Sequence, residues 1–117
     1  MLTFNGNLKV YVALQPCDMR KSFHGLAAVA RDTLKADPLS GAAFLFTNRR
    51  RNLIKILYWD GSGLWVVAKR LERGTFSWPA HAEPGRHRLQ LKPTALAMLT
   101  DGIDLRDGAR RPWYDMD

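Results

Sequence analysis

Three apolar runs separated by short polar turns occupy the middle of the chain. They span residues 42–46, 53–59 and 64–70, with polar turns at 47–52 and 60–63. A strand that reverses direction within a few residues must lie beside the strand before it. Short strands joined by brief polar turns are therefore typical of antiparallel pairing. The spacing predicts an antiparallel β-meander at the centre of the fold.

The N-terminal third of the chain predicts a strand followed by a helix. Residues 8–14 alternate in the manner of a strand. Apolar residues then recur at spacings of three and four, which predicts an amphipathic helix over 19–36. Asp18 is a candidate N-cap for this helix. Gly25 inside it suggests close packing, because glycine destabilises a helix interior by about 1 kcal/mol relative to alanine.

The C-terminal third adds short elements. Residues 75–78 and 87–91 are candidate strands, and Pro93 is suited to the first position of a short helix over 93–101. The expected fold class is α+β, with an antiparallel β-meander sheet of about 4–6 strands. The N-terminal amphipathic helix would pack on one face, and the simplest burial scheme places both helices on the same side.

The length of 117 residues indicates one domain. We place that α+β domain at residues 1–104 and a polar C-terminal tail at residues 105–117. The sequence has one cysteine, no signal-peptide pattern at its start and no apolar run of about 20 residues. We therefore expect a cytoplasmic protein that does not associate with membranes.

The charge of the chain points to a polyanionic partner. Eighteen Lys and Arg residues against eleven Asp and Glu residues give a formal net charge of +7, and twelve of the eighteen are arginine. The planar guanidinium group suits phosphate oxygens and base edges. A compact basic domain is accordingly first suspected of binding nucleic acid. The alternative is a basic surface with no partner.

The candidate nucleic-acid-binding residues lie on the predicted meander. Three adjacent arginines at the first hairpin tip can contact successive phosphates, although a solvated turn is the plainer interpretation. Further cations follow the third strand and, with one lysine of the second, extend a basic stripe. The predicted nucleic-acid-binding set is Arg49, Arg50, Arg51, Lys55, Lys69, Arg70 and Arg73. Three tryptophans, Trp59, Trp65 and Trp78, are candidate stacking platforms for bases or, more plainly, core residues.

The acidic residues and histidines give little support for catalysis. Each candidate carboxylate of a metal nuclease has a simpler structural interpretation at a helix end, before a proline or in a turn. We therefore predict no catalytic residue, no metal site and no cofactor. One enzymatic alternative uses His81, His87, Arg86 and Arg88, which could support metal-free RNA cleavage of the RelE type.

Several ordered segments resemble a known family. They are residues 18–26, 37–41, 44–46, 49–51, 55–64, 69–74, 76–79 and 99–104. Together they are similar to the TnpB-type accessory proteins of the IS66 insertion-sequence family, encoded by the second open reading frame of the element. The resemblance covers roughly residues 8–106. The tail and Lys92, at a position where a capping threonine is common, depart from the family pattern.

The resemblance implies a non-catalytic accessory protein that works beside a separate, larger transposase. It implies no small-molecule substrate, and it leaves the oligomeric state open. Combined with the charge, it favours binding to DNA at the element ends. The main alternative is a protein adaptor that docks on the transposase or its other helper protein through the sheet face of Leu53, Leu57 and Trp59. The second alternative is the ribonuclease.

Overall fold

A computed structural model describes residues 7–79 and 84–101, together with the backbone of 114 and 115. The elements in chain order are β1 (Val10–Ala13), α1 (Phe23–Asp32), β2 (Ala43–Thr47), β3 (Leu53–Trp59), β4 (Leu64–Arg70), β5 (Arg88–Leu91), α2 (Pro93–Thr100) and β6 (Tyr114–Asp115). The α+β class and the central meander of β2, β3 and β4 are confirmed.

The strands form one mixed sheet in the order β4-β3-β2-β1-β5-β6. Five strands carry the sheet, and the two-residue β6 extends it along β5. The prediction of a fully antiparallel sheet is wrong, because β1 and β2 are parallel, with Val10 beside Ala43 and Val12 beside Leu45. Parallel neighbours need a crossover connection, and α1 supplies it.

The first helix is shorter than the sequence predicts. It spans Phe23–Asp32, and Ser22 stands at its N-cap without a side-chain cap hydrogen bond. Asp18 does not cap it, because the Asp18 carboxylate accepts from the backbone N and the guanidinium of Arg20 and holds residues 18–21 in a separate turn. Lys35, with a φ of 55°, adopts the left-handed conformation soon after the helix ends.

The later elements match the sequence more closely. The strand expected at 87–91 forms as β5, and the helix expected at 93–101 forms as α2 with its proline in the first turn. Residues 75–78 form no strand. They cross the sheet instead, burying Phe76 and Trp78.

The two helices cover opposite faces of the sheet. Leu26 and Ala30 of α1 pack with Phe44 and Leu57, whereas Leu99 of α2 belongs to a separate buried cluster. That second cluster contains Val10, Val12, Leu45, Ile54, Ile56, Phe76, Trp78, Leu91, Ala95 and Leu96. The expectation that both helices lie on one side is therefore wrong. The physical reason is that β2 is buried at every position, so both faces of the sheet need cover.

Part of the predicted organisation lies outside the described residues. The boundary at 104 and all of the 105–117 tail except the backbone of 114 and 115 fall there, as does His81. The domain boundary therefore stays a prediction. Among the described residues, no helix combines the length and the apolar character that crossing a bilayer requires.

Candidate nucleic-acid interface

The carboxyl ends of β1 and β2 meet at one end of the sheet, because these strands are parallel. The turn from β2 to β3 lies at this end, and so does the segment that follows β4. Two backbone hydrogen bonds join them: Leu71 N donates to Asn52 O over 2.9 Å, and Phe76 N donates to Arg51 O over 2.7 Å. The arginine turn and the loop after β4 therefore form one connected surface.

Asn48 braces the arginine turn from within. Its Oδ1 accepts from the backbone N of Asn52 at 3.1 Å, and its Nδ2 donates to Oδ1 of Asn52 at 2.7 Å. Arg51 N donates to Asn48 O, and Arg51 takes the left-handed conformation with a φ of 57°. Thr47 Oγ1 donates to Leu53 O at 2.9 Å across the base of the turn. These bonds fix the backbone that carries the three arginines.

Five of the seven predicted cations come together on this surface. Arg49, Arg50, Arg70 and Arg73 are exposed, and Arg51 is half-buried. Arg70 lies directly beside Leu53 in the β3–β4 register, so the end of β4 adjoins the base of the turn. We name these five residues the basic rim. Within the described part of the chain, none of them forms an ion pair.

The two lysines of the predicted set are placed differently. Lys55 points to the α1 face, where its Nζ donates to the backbone O of Lys21 at 2.8 Å. Lys69 lies beside Ile54 on the α2 face, with its Nζ 4.0 Å from Oδ1 of Asp101. The sheet therefore separates these two lysines, which the sequence places in one stripe.

The three candidate tryptophans, all among the described residues, do not line the basic rim with exposed rings. Trp78 is 6% exposed, and its Nε1 donates to Ala13 O at 2.9 Å, so it is the core residue that the plainer interpretation expects. Trp59 and Trp65 lie at the other end of β3 and β4, next to the 60–63 turn. A base bound at the rim would find neither ring beside it.

The 60–63 turn is a hairpin, as expected, and it forms no phosphate cradle. Asp60 Oδ1 accepts from the backbone N of Ser62 and of Gly63, and Oδ2 accepts from Trp65 Nε1 at 2.7 Å. The Trp65 bond and the backbone donors hold the pKa of Asp60 well below its usual range. The turn thus satisfies its own backbone donors with a carboxylate and has little to offer an anion.

Arg86, His87 and Arg88, three of the four residues of the ribonuclease alternative, line one open cleft beside residues 33–35. Arg88 Nη1 donates to Leu34 O at 3.1 Å, and its guanidinium stacks over the Tyr11 ring at 4.8 Å. Arg88 thus ties β5 to the end of α1 and serves the fold. His87 is exposed. The ribonuclease alternative is left without Arg88 as its group for stabilising phosphate charge.

The carboxylates also have structural partners. The hydrogen bonds from Arg20 lower the pKa of Asp18 to about 2, and Asp101 stands at the C-cap of α2. Across the residues that the structure describes, no three metal-ligating side chains gather in one place.

The sheet face predicted for an adaptor is covered at its centre and partly accessible at its ends. Leu57 is fully buried beneath α1, and Leu53 and Trp59 are half-buried. The helix α1 covers the centre of this strand face at Leu57, and Leu53 and Trp59 at its two ends stay partly accessible, so the adaptor alternative stays a prediction.

Residue patterns alone did not single out Asn48 as a functional residue. The signal that could have identified it is the pair Asn48 and Asn52 on either side of the three arginines. Asparagine side chains in turns often hydrogen-bond to nearby backbone groups, so this pair is typical of a turn with a fixed backbone. Likewise, the bond from Trp78 to Ala13 joins residues far apart in sequence and leaves no local pattern.

Comparison with known proteins gives the chain a family. A family model described as "IS66 Orf2 like protein" matches residues 8–110. Two proteins of Sinorhizobium fredii, both named as uncharacterized proteins, are similar to it. One, y4hO, is 40% identical over 106 residues, which cover 91% of this chain and 90% of the relative. The other, y4jC, is 35% identical over 105 residues, which cover 90% of this chain and 87% of the relative.

No solved structure matches the chain significantly. The family match spans most of the chain, including the whole basic rim, and confirms the resemblance seen in the sequence segments. The chain therefore belongs to the IS66 Orf2-like family of TnpB type, an accessory protein family of insertion sequences that is not a known enzyme family.

Proposed function

We propose that this protein binds DNA at the ends of its insertion sequence through the basic rim, as a non-catalytic partner of a separate transposase. The observation that carries the proposal is the pair of backbone hydrogen bonds from Leu71 and Phe76 to the arginine turn. They join the two backbone segments that carry the five arginines of the basic rim. Family membership supplies the transposition context.

Contacts between arginine and phosphate explain how such a surface binds DNA. Arginine donates two parallel hydrogen bonds to a phosphate, and each neutralised phosphate releases condensed counterions. The fixed turn reduces the ordering that binding requires, because Asn48 already holds the backbone. Contacts of this kind position a protein on DNA without reading sequence. We therefore infer that any preference for element ends comes from DNA shape or from the transposase.

The charge distribution favours one orientation on DNA. The far end of β3 and β4 carries the Asp60 carboxylate, and its hydrogen bonds lower its pKa below the usual range. The β3–β4 hairpin itself therefore has a charge gradient along its strands, with arginines at one end and Asp60 at the other. Such a gradient turns the basic rim towards a polyanion during approach.

A salt series measures the number of phosphates that the protein neutralises. Fluorescence anisotropy with a labelled element-end duplex gives the dissociation constant at several salt concentrations. The slope of log affinity against log salt changes by about 0.9 for each phosphate neutralised. We expect the triple replacement of Arg49, Arg50 and Arg51 by Gln to make the slope shallower by about 2 to 3 units.

A matched triple variant serves as the control. Replacing Lys9, Lys35 and Lys92 by Gln removes the same formal charge from positions outside the basic rim. We expect this control to change the slope by less than about 1 unit. Equal slopes for the two triples would show that net charge alone drives binding. Absence of any binding at low salt, by folded wild-type protein, would refute direct DNA contact and favour the adaptor alternative.

A further inference from the structure

The outer edge of β4 is open in the part of the chain that the structure describes. β4 stands at the end of the sheet and pairs with β3 alone. It is seven residues long, and its last four residues, Val67 to Arg70, are exposed. An open strand of this length is a template for pairing with another strand.

The hydrogen bonds between β3 and β4 show which backbone N–H and C=O groups of β4 face away from β3. Bonds between Asp60 and Gly63, and between Leu71 and Asn52, mark the bonded pairs of the β3–β4 ladder. Bonded pairs recur at every second residue. The odd-numbered residues of β4 therefore turn their backbone groups towards β3, and the even-numbered residues turn theirs outward.

We propose that two copies of this chain associate by antiparallel pairing of their β4 strands, with Val67 on the two-fold axis. This register pairs Val66 with Ala68 of the second copy and Leu64 with its Arg70. It uses every outward-facing backbone group of β4 and forms about eight hydrogen bonds. A shift by one pair in either direction leaves outward groups at one end of β4 unpaired.

The side chains on the α2 face fit this register. Val67, 38% exposed, meets its own symmetry mate in a non-bonded pair, where side chains approach most closely. Trp65, 44% exposed, lies opposite Lys69 of the second copy. Cation–π contact and cross-strand pairing of these two residues are both favourable.

Charge complementarity favours a second copy in the antiparallel sense. One end of β4 carries Lys69 and Arg70, and the other end adjoins Asp60, which is bound to the Trp65 indole. Antiparallel pairing brings Lys69 of each copy towards Trp65 and Asp60 of the other. Parallel pairing would place like charges side by side, which is unfavourable. The cations Lys69 and Arg70 disfavour pairing of β4 with an uncharged or basic strand, and together with Asp60 they favour antiparallel pairing with β4 of a second copy.

Disulfide trapping tests the register directly. In a Cys17→Ser background, Val67→Cys places the two thiols in the pair on the two-fold axis, at a Cα separation suited to a disulfide. We expect mild oxidation to cross-link this variant at least about tenfold faster than Leu39→Cys, whose residue is 50% exposed and outside β4. Equal rates for the two variants would overturn the proposal.

Sedimentation equilibrium tests the association itself. We expect wild-type protein to show twice the mass of one chain at micromolar concentration, and Ala68→Pro to weaken the dimer at least about tenfold. The Ala68 N–H points outward, so proline there removes a donor from the open edge and none from the β3 ladder. A monomeric wild type, or a folded Ala68→Pro variant that remains fully dimeric, would refute the proposal. If Ala68→Pro fails to fold, the Val67→Cys result decides, because that change leaves the backbone intact.

Discussion

At the scale of single residues, Trp78 shows how a side chain suited to nucleic acid can belong to the core. It is 6% exposed, and its indole N–H reaches the carbonyl of Ala13. We expect Trp78→Phe to lower the free energy of unfolding by about 1 to 3 kcal/mol, because it removes this bond and leaves the Ala13 carbonyl unsatisfied.

Urea unfolding followed by circular dichroism measures that change for Trp78→Phe. Trp59→Phe, at a half-buried position, is the matched control and should lower the free energy of unfolding by less. Where folded Trp78→Phe protein is obtained, its affinity for DNA should equal that of the wild type. A selective decrease in DNA affinity with full stability would contradict the core role.

Lys55 is a second predicted nucleic-acid-binding residue that makes a hydrogen bond within the fold. Its Nζ donates to the carbonyl of Lys21 just before α1. We expect Lys55→Met to lower stability by up to about 1 kcal/mol, since an exposed hydrogen bond is worth little more. The salt slope for DNA should change less than it does for Arg50→Gln, measured under the same conditions. The reverse ranking would return Lys55 to the phosphate-binding set.

At the scale of elements, the turn between β3 and β4 has a built-in pH dependence. The Trp65 indole and the backbone donors of residues 62 and 63 lower the pKa of Asp60 from the ordinary value of 3.8. A carboxyl with a lowered folded-state pKa contributes stability above its unfolded-state pKa, and that contribution is lost as pH falls towards the folded value.

We therefore expect Asp60→Asn to melt at a lower temperature than the wild type at neutral pH. The difference should shrink as pH falls below about 4, where the unfolded state takes up the proton. Thermal scans across this pH range measure it. In Trp65→Phe protein the same Asp60→Asn change should have a smaller effect, because the strongest donor is gone. A constant difference at every pH would show that the turn does not depend on the ionised carboxylate.

The elements also show what the sequence could predict. The meander was predictable because alternation and short turns are local signals, and α2 because proline marks its start. The parallel β1–β2 pair had one available signal, the predicted strand–helix–strand order of residues 8–46, because a helix crossover returns the chain in the parallel direction. The opposite placement of the helices had one available signal: the uninterrupted apolar stretch 42–46, which is typical of a strand covered on both faces.

The same distinction applies to the basic rim. The arginine turn was predictable as a hairpin tip, and Arg70 followed from its position at the end of the third apolar run. The separation of Lys55 from Lys69 depends on the β3–β4 register, in which Lys55 pairs with Ala68. The predicted runs 53–59 and 64–70 have the bounds of β3 and β4, so this register, and with it the opposite faces of Lys55 and Lys69, followed from the 60–63 turn.

At the scale of the whole molecule, the predicted domain boundary can be tested by truncation. Deleting residues 105–117 removes β6, which pairs with β5 at Gln90 and Leu91 through its backbone. We expect the shortened chain to unfold cooperatively, with stability lower by about 1 to 2 kcal/mol for the two ladder positions. Denaturation with a matched deletion of residues 116–117 as control measures this. Unfolding that is no longer cooperative would place the tail inside the domain.

The position of β1 has a consequence for how the chain folds. This first strand ends up near the middle of the sheet, between β2 and the late strand β5, with Val12 beside Leu89. Contacts between distant parts of a chain form slowly, because the intervening loop must close first. During synthesis on the ribosome, β1 waits with one edge unpaired until β5 has emerged. Completion of the core therefore waits for β5 to emerge, and a chain that stops before β5 would carry an exposed, aggregation-prone strand edge in place of a finished sheet.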